Sequence, residues 1–193
     1  MNVRRMLIAA MAGLVGCGVA SAAMAAPASK GKSSGSEAKP ASVGAEPSLI
    51  GQYGSWGAYM AAPGGKKVCF VLAKPSSSRT TPPNRPRDPA YAFISTRPAE
   101  KVANEVSVMI GYPLKPGSES TMEVGGASFA MYTQGDGLWI KNAAEEDRLV
   151  EALRKSGEVT VKGVSAKGTA TTDVFSLKGL AQALDKVAQN CGG

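Results

Sequence analysis

The chain has 193 residues, 44% of them hydrophobic, which is enough for one modest core and too little for two. Its formal charge is +7, spread over scattered Lys and Arg, and it contains no histidine. That removes the commonest general base, the usual partner of a triad serine and the commonest zinc ligand; the lack of a basic run argues against a nucleic-acid partner.

The first 26 residues read as an export signal. Arg4 and Arg5 form a positive start, Leu7 to Val15 a short apolar run, and Ala20-Ser21-Ala22 and Ala23-Met24-Ala25 two small-residue cleavage patterns. The apolar run is broken by glycines and falls short of the ~20 residues of a membrane span. The expected location is therefore periplasmic or at the outer membrane or cell surface. Loss of Arg4 and Arg5 with the signal lowers the charge from +7 to +5, leaving a protein partner or an anionic envelope component as the natural counterpart. Leu14-Val15-Gly16-Cys17 fits a second processing, a lipobox in which Cys17 is acylated. Small and apolar residues continue through Ala26, which favours ordinary cleavage near Ala25 or Ala26.

Residues 27 to 48 lack aromatics and hold a single Val, the composition of a flexible linker with no surface to bury. Within it, Ser36-Glu37-Ala38-Lys39 spells the Ser-x-x-Lys of penicillin-binding enzymes, but a flexible tether cannot desolvate a catalytic Ser–Lys pair.

A folded domain is expected from residue 49 to 193. Tyr53 to Met60 reads as a first strand, with Trp56, Ala58 and Met60 on one face, and Lys66 to Ala73 as a second. Residues 75 to 89 hold five prolines and read as an extended loop without a regular element. That loop carries Arg79, Arg85 and Arg87, the candidate partner-contact surface. Strands follow at Tyr91 to Thr96, Glu105 to Tyr112, Thr121 to Val124, Ala127 to Tyr132 and Leu138 to Lys141, with Gly125-Gly126 as a hairpin turn. Ala144 to Lys155 reads as a helix, acidic at its start and basic at its end, as the helix dipole favours. Strands around Val159 and Val161 and from Thr169 to Phe175 precede a terminal helix. Its apolar residues Leu177, Leu180, Ala181, Leu184, Val187 and Ala188 share one face, and Ser176 is placed to cap it. Short, closely spaced strands with two helices imply a mainly β protein, a β-sandwich.

Chemistry has few places to reside. Glu145-Glu146-Asp147 is the densest acidic cluster, and acids at a helix start are stabilising in their own right. Gly163-Val164-Ser165-Ala166-Lys167-Gly168 lacks the spacing of a nucleophile elbow and reads as a turn. A Ser/Lys-dependent enzyme around Ser165 and Lys167 is the catalytic alternative to a non-enzymatic protein, for which neither cofactor nor metal is expected. Trp56, Trp139, Tyr91 and Phe93 are read as core, with a ligand platform as the alternative. Either fate of Cys17 leaves Cys69 and Cys191 as a pair in an oxidising compartment, and a cysteine at the end of a loosely held helix is suited to a disulfide staple.

From Asn104 onward the chain resembles the invasion-associated locus B family of alphaproteobacterial envelope proteins. The resemblance is carried by N-E-V-S-V-M-I-G-Y at 104–112, L-W-I-K at 138–141, D-R-L-V-E-A-L-R-K-S-G at 147–157 and V-K-G-V-S-A-K-G-T-A-T-T-D-V-F-S-L-K-G-L-A-Q-A-L at 161–184. Trp56, Cys69 and Cys191 also fit. The resemblance implies an exported, disulfide-bonded protein with an immunoglobulin-like β-sandwich fold. Founding members are linked to host-cell entry, and the family supplies no catalytic residues to carry over. The function expected is that of an exported, non-enzymatic envelope binding module. A lipoprotein anchored through Cys17 with a structural role is the alternative.

Overall fold

Alternation of apolar and polar residues builds most of the chain into antiparallel strands. The computed structural model describes residues 46 to 191. The export signal, Cys17 and the linker through residue 45 lie outside the described residues. In chain order the elements are β1 (Ser48–Tyr53), β2 (Trp56–Ala61), β3 (Val68–Ala73), β4 (Ser77–Thr81), β5 (Tyr91–Arg97), β6 (Val102–Met109), β7 (Ser120–Val124), β8 (Ala127–Gln134) and β9 (Gly137–Ile140). Then come α1 (Glu146–Lys155), β10 (Glu158–Val164), β11 (Ala170–Ser176) and α2 (Leu180–Cys191).

The strands form one hydrogen-bonded sheet in the order β1-β2-β3-β5-β6-β9-β8-β7-β10-β11-β4. Eleven twisted strands do not stay flat. The sheet folds over until its distant parts meet: the Trp56 indole N–H on β2 donates to the Ser176 carbonyl on β11 at 2.8 Å, and Gly163 of β10 sits against Ile110 and Leu114. The result is sandwich-like and mainly β, with one internal and one C-terminal helix. Between the facing halves, Val71, Ile94, Val108, Met122, Phe129, Val161 and Phe175 join one buried apolar cluster. No helix among the described residues is long and apolar enough to cross a membrane.

Three segments depart from the sequence expectation. The predicted first strand, Tyr53 to Met60, begins only at Trp56 as β2, and an unpredicted strand, β1, pairs with it across a turn at Gly54, whose φ is 55°. The predicted loop 75–89 contains β4, since Ser77–Thr81 holds no proline and pairs in register with β11, Arg79 opposite Thr172. The terminal helix starts at Leu180, and Ser176 closes β11 instead of capping it. Leu177 still donates to Gly157 as the chain leaves the sheet, at 2.9 Å. Gly179, with φ 94°, then packs so tightly on the Tyr53 carbonyl that a Cβ would collide with it. The Gly125-Gly126 hairpin stands as read, both residues at positive φ.

The aromatic residues divide between the faces. Trp56 is core, whereas Tyr91, Phe93 and Trp139 lie half-buried on the outer face, opposite in sense to Ala92, Ile94 and Leu138. There Tyr59, Phe70 and Phe93 form a row across β2, β3 and β5, with ring centroids 5.3 and 6.0 Å apart, and Trp139 stacks on Tyr132 at 5.7 Å. Two of these rings fold back over a glycine in their own strand, Tyr59 over Gly57 and Trp139 over Gly137.

Leu180, Ala183, Leu184 and Val187 bury the apolar face of α2 against β1, β2 and β3. Cys191 is joined to Cys69 on β3, with Cα atoms 5.9 Å apart. The cross-link spans 122 positions, for which chain entropy allows up to ~4–5 kcal/mol of stabilisation. That is a large part of the ~5–15 kcal/mol typical of a domain. Cys191→Ser is therefore expected to lower the denaturant midpoint and to make α2 the first segment cut in limited proteolysis. Two titratable thiols in protein isolated without reductant would contradict the pairing.

Candidate functional site

The connection from β4 to β5 is held by charge. Asp173 of β11 is fully buried, and a buried carboxylate is tolerable only if paired. Arg87 meets it with a bidentate fork: Nη1 donates to Asp173 Oδ2 at 2.8 Å, and Nη2 donates to Oδ1. The remaining donors reach the Ile110 carbonyl and Ser78 Oγ, both at 2.9 Å. One guanidinium thus ties the connection to β11, to the end of β6 and to β4.

The neighbours of Arg87 are fixed as well. The Asp88 N–H donates to the Gly111 carbonyl at 3.0 Å. Gly111 has φ 80° and leaves no room for a Cβ against Asp88, so only glycine admits this approach. The Arg85 N–H donates to Thr80 Oγ1 at 3.1 Å. Tyr112 donates its hydroxyl proton to Thr171 Oγ1 at 2.5 Å. Burial raises the Tyr112 pKa above the ordinary phenol value, against the opposing pull of that hydrogen bond, so the ring stays neutral.

Between this connection and the β10–β11 turn lies a groove of about 480 Å³. Pro82, Pro86, Pro113 and Tyr112 form its apolar walls, and Arg85, Lys167 and Ser165 supply polar groups. A second hollow of about 700 Å³ shares the Pro86-Arg87 and Tyr112-Pro113 walls and carries Asp88 and Asp136.

The predicted residues are therefore separated by role. Arg85 lines the groove, Arg79 stands outside it on β4, and Arg87 is an internal structural cation. Ser165 and Lys167 share the groove, but Ser165 Oγ accepts the Thr169 N–H at 3.0 Å, closing the turn. Among the described residues it has no hydrogen bond to Lys167. The acidic cluster at α1 is split as well: Glu145 pairs with Arg148 at 3.4 Å, and Glu146 accepts the Val106 N–H at 2.7 Å, docking the helix on β6. The sequence reading missed Asp173, which lies 86 positions from its partner Arg87, and Tyr112, which reaches the groove only once β6 and β11 are brought together.

Two outcomes follow. Arg87→Ala leaves Asp173 buried without a counter-ion and is expected to cost ~3–5 kcal/mol in chemical denaturation, whereas Arg85→Ala, at an exposed charge, costs under ~1 kcal/mol. A stability test of the contact surface should therefore replace Arg79 and Arg85 and keep Arg87. Desolvation raises the Glu146 pKa above its usual 4.5, despite the Val106 hydrogen bond. The native state then holds that proton more tightly than the unfolded state, so this group's contribution falls as pH rises from 4.5 through the raised native value. Denaturation across that window should show the wild type losing stability relative to Glu146→Gln, whose amide oxygen still accepts from Val106. Parallel pH profiles would count against the burial of this carboxyl.

Among curated proteins and among solved structures, nothing matches the chain. The family model described as invasion associated locus B (IalB) protein matches residues 56–188. That span takes in β2 through most of α2, including Cys69, the Arg87–Asp173 pair and all the groove residues named above. On that match the chain belongs to the invasion associated locus B family.

Proposed function

We propose that the protein is an exported, non-enzymatic cell-envelope binding module that engages its partner at the groove between the proline-rich connection and the β10–β11 turn. The observation that carries this reading is the groove's construction. Arg85 and Lys167 face a rigid apolar floor, and neither forms a salt bridge among the described residues. Arg87 and Asp173 lock that floor in place. Preformed concavity with a few polar groups is the usual form of a binding site. The serine in the groove is engaged in closing its own turn, which suits recognition better than nucleophilic attack.

Export rests on the leader, residues 1 to 26, and on the need of Cys69 and Cys191 for an oxidising compartment. The mass of the mature N-terminus distinguishes cleavage near Ala26 from acylation of Cys17. A structural lipoprotein is the reading that acylation would favour. For the binding site, a photo-crosslinking residue in place of Ala166, which lines the groove beside Lys167, is expected to yield a defined adduct in intact cells. The same residue at Glu151, exposed on α1, should not. Equal labelling from both positions, or none from position 166, would remove the groove from consideration.

A further inference from the structure

We infer that the groove takes an extended, acidic peptide segment, with a carboxylate between Arg85 and Lys167. This rests on the groove being the binding surface, and it adds the chemistry of what binds. Arg87 also lines the groove, but its charge is already neutralised by Asp173, so Arg85 and Lys167 are its two uncommitted cations. Ser165 spends an acceptor position on the Thr169 N–H, which leaves its hydroxyl hydrogen to donate to an anion. A carboxylate would find a guanidinium, an ammonium and a hydroxyl within one concavity, and charge-assisted hydrogen bonds are the strong ones.

The walls favour a peptide over other anions. Pro82, Pro86 and Pro113 offer stiff rings without N–H groups, and Tyr112 adds a half-buried aromatic ring whose hydroxyl is fixed by Thr171. Rigid proline and tyrosine surfaces suit a chain in extended or polyproline conformation, and little freedom is lost when they are covered. At one end the groove is continuous with β4 through Thr80. Among the described residues β4 is the last strand of the sheet, paired with β11 on one side only. A peptide leaving the groove in an extended conformation meets backbone groups able to add it as another strand. A lipid surface is a poorer fit, because membrane recognition uses clusters of about four to eight basic residues on an accessible face, and here two cations sit in a concavity.

The test uses the purified mature protein and a fluorescein-labelled nine-residue peptide alternating Glu and Pro, followed by fluorescence anisotropy. The expected result is saturable binding that weakens with added salt. It should fall at least tenfold in the Arg85→Ala/Lys167→Ala double variant, with the melting temperature unchanged. On the wild-type protein, the peptide with Gln in place of Glu should show the same loss, so the inference is testable even if the double variant folds poorly. Inorganic phosphate binding as tightly as the peptide would overturn the inference, since the walls would then contribute nothing. Sedimentation with phosphatidylglycerol vesicles, without peptide binding, would overturn it in favour of a membrane surface. A crosslink from position 166 without peptide binding would reject the acidic peptide and leave the groove as the partner site. Peptide binding without any cellular crosslink would do the reverse.

Discussion

A carboxylate with no access to water governs the arrangement at one end of this domain. Asp173 is fully buried on β11, and among the described residues the Arg87 guanidinium alone neutralises it. Because the fork also reaches the Ile110 carbonyl and Ser78, the same requirement fixes the end of β6, the outermost strand β4 and the proline-rich connection relative to one another. A well-packed apolar pair could be at least as stable. What the ion pair adds is direction, since a planar fork with fixed donors holds its neighbours in a single arrangement. The groove is a consequence of that arrangement: its walls come from segments that would otherwise be independent loops.

A different bond secures the terminal helix. The Cys69–Cys191 link fastens α2 to the third strand, and the Trp56 indole joins β2 to β11. Covalent, hydrogen-bonded and ionic links together hold the eleven-stranded sheet in its folded-over form. The residues matched by the invasion associated locus B family model include Cys69, Arg87 and Asp173 and end at residue 188, short of Cys191.

Much of this was legible from residue order alone. Period-two alternation in Val106, Val108 and Ile110 marks a strand on which those three residues are buried, whereas on β5 the buried residues are Ala92 and Ile94 in place of Tyr91 and Phe93. Two glycines mark the β7–β8 hairpin, and the charge order of α1 marks its direction. The errors have physical causes. Prolines at 82, 83, 86 and 89 obscured Ser77–Thr81, which contains none and needs β11 to become a strand. Arg87 looked like a surface charge because its partner is remote in sequence and nearby only in the fold. Aromatic residues at alternating positions were read as core, yet alternation gives only the period and not which face points inward. Ser165 and Lys167 line one groove with Arg85 and the prolines, and among the described residues no hydrogen bond joins the two.

The rings on the outer face bear on solubility. Tyr59 and Trp139 lie back over Gly57 and Gly137, and they stack on Phe70 and Tyr132 respectively. Each glycine therefore acts as a recess that receives part of an aromatic side chain and withdraws it from solvent. A methyl group in either recess would meet the ring directly. The ring would be lifted outward while the core beneath stayed intact. Such a change would enlarge the exposed apolar surface without loosening the fold, and large exposed apolar patches promote self-association. In this sheet two residues without side chains help decide whether a row of aromatic residues stays quiet or becomes adhesive.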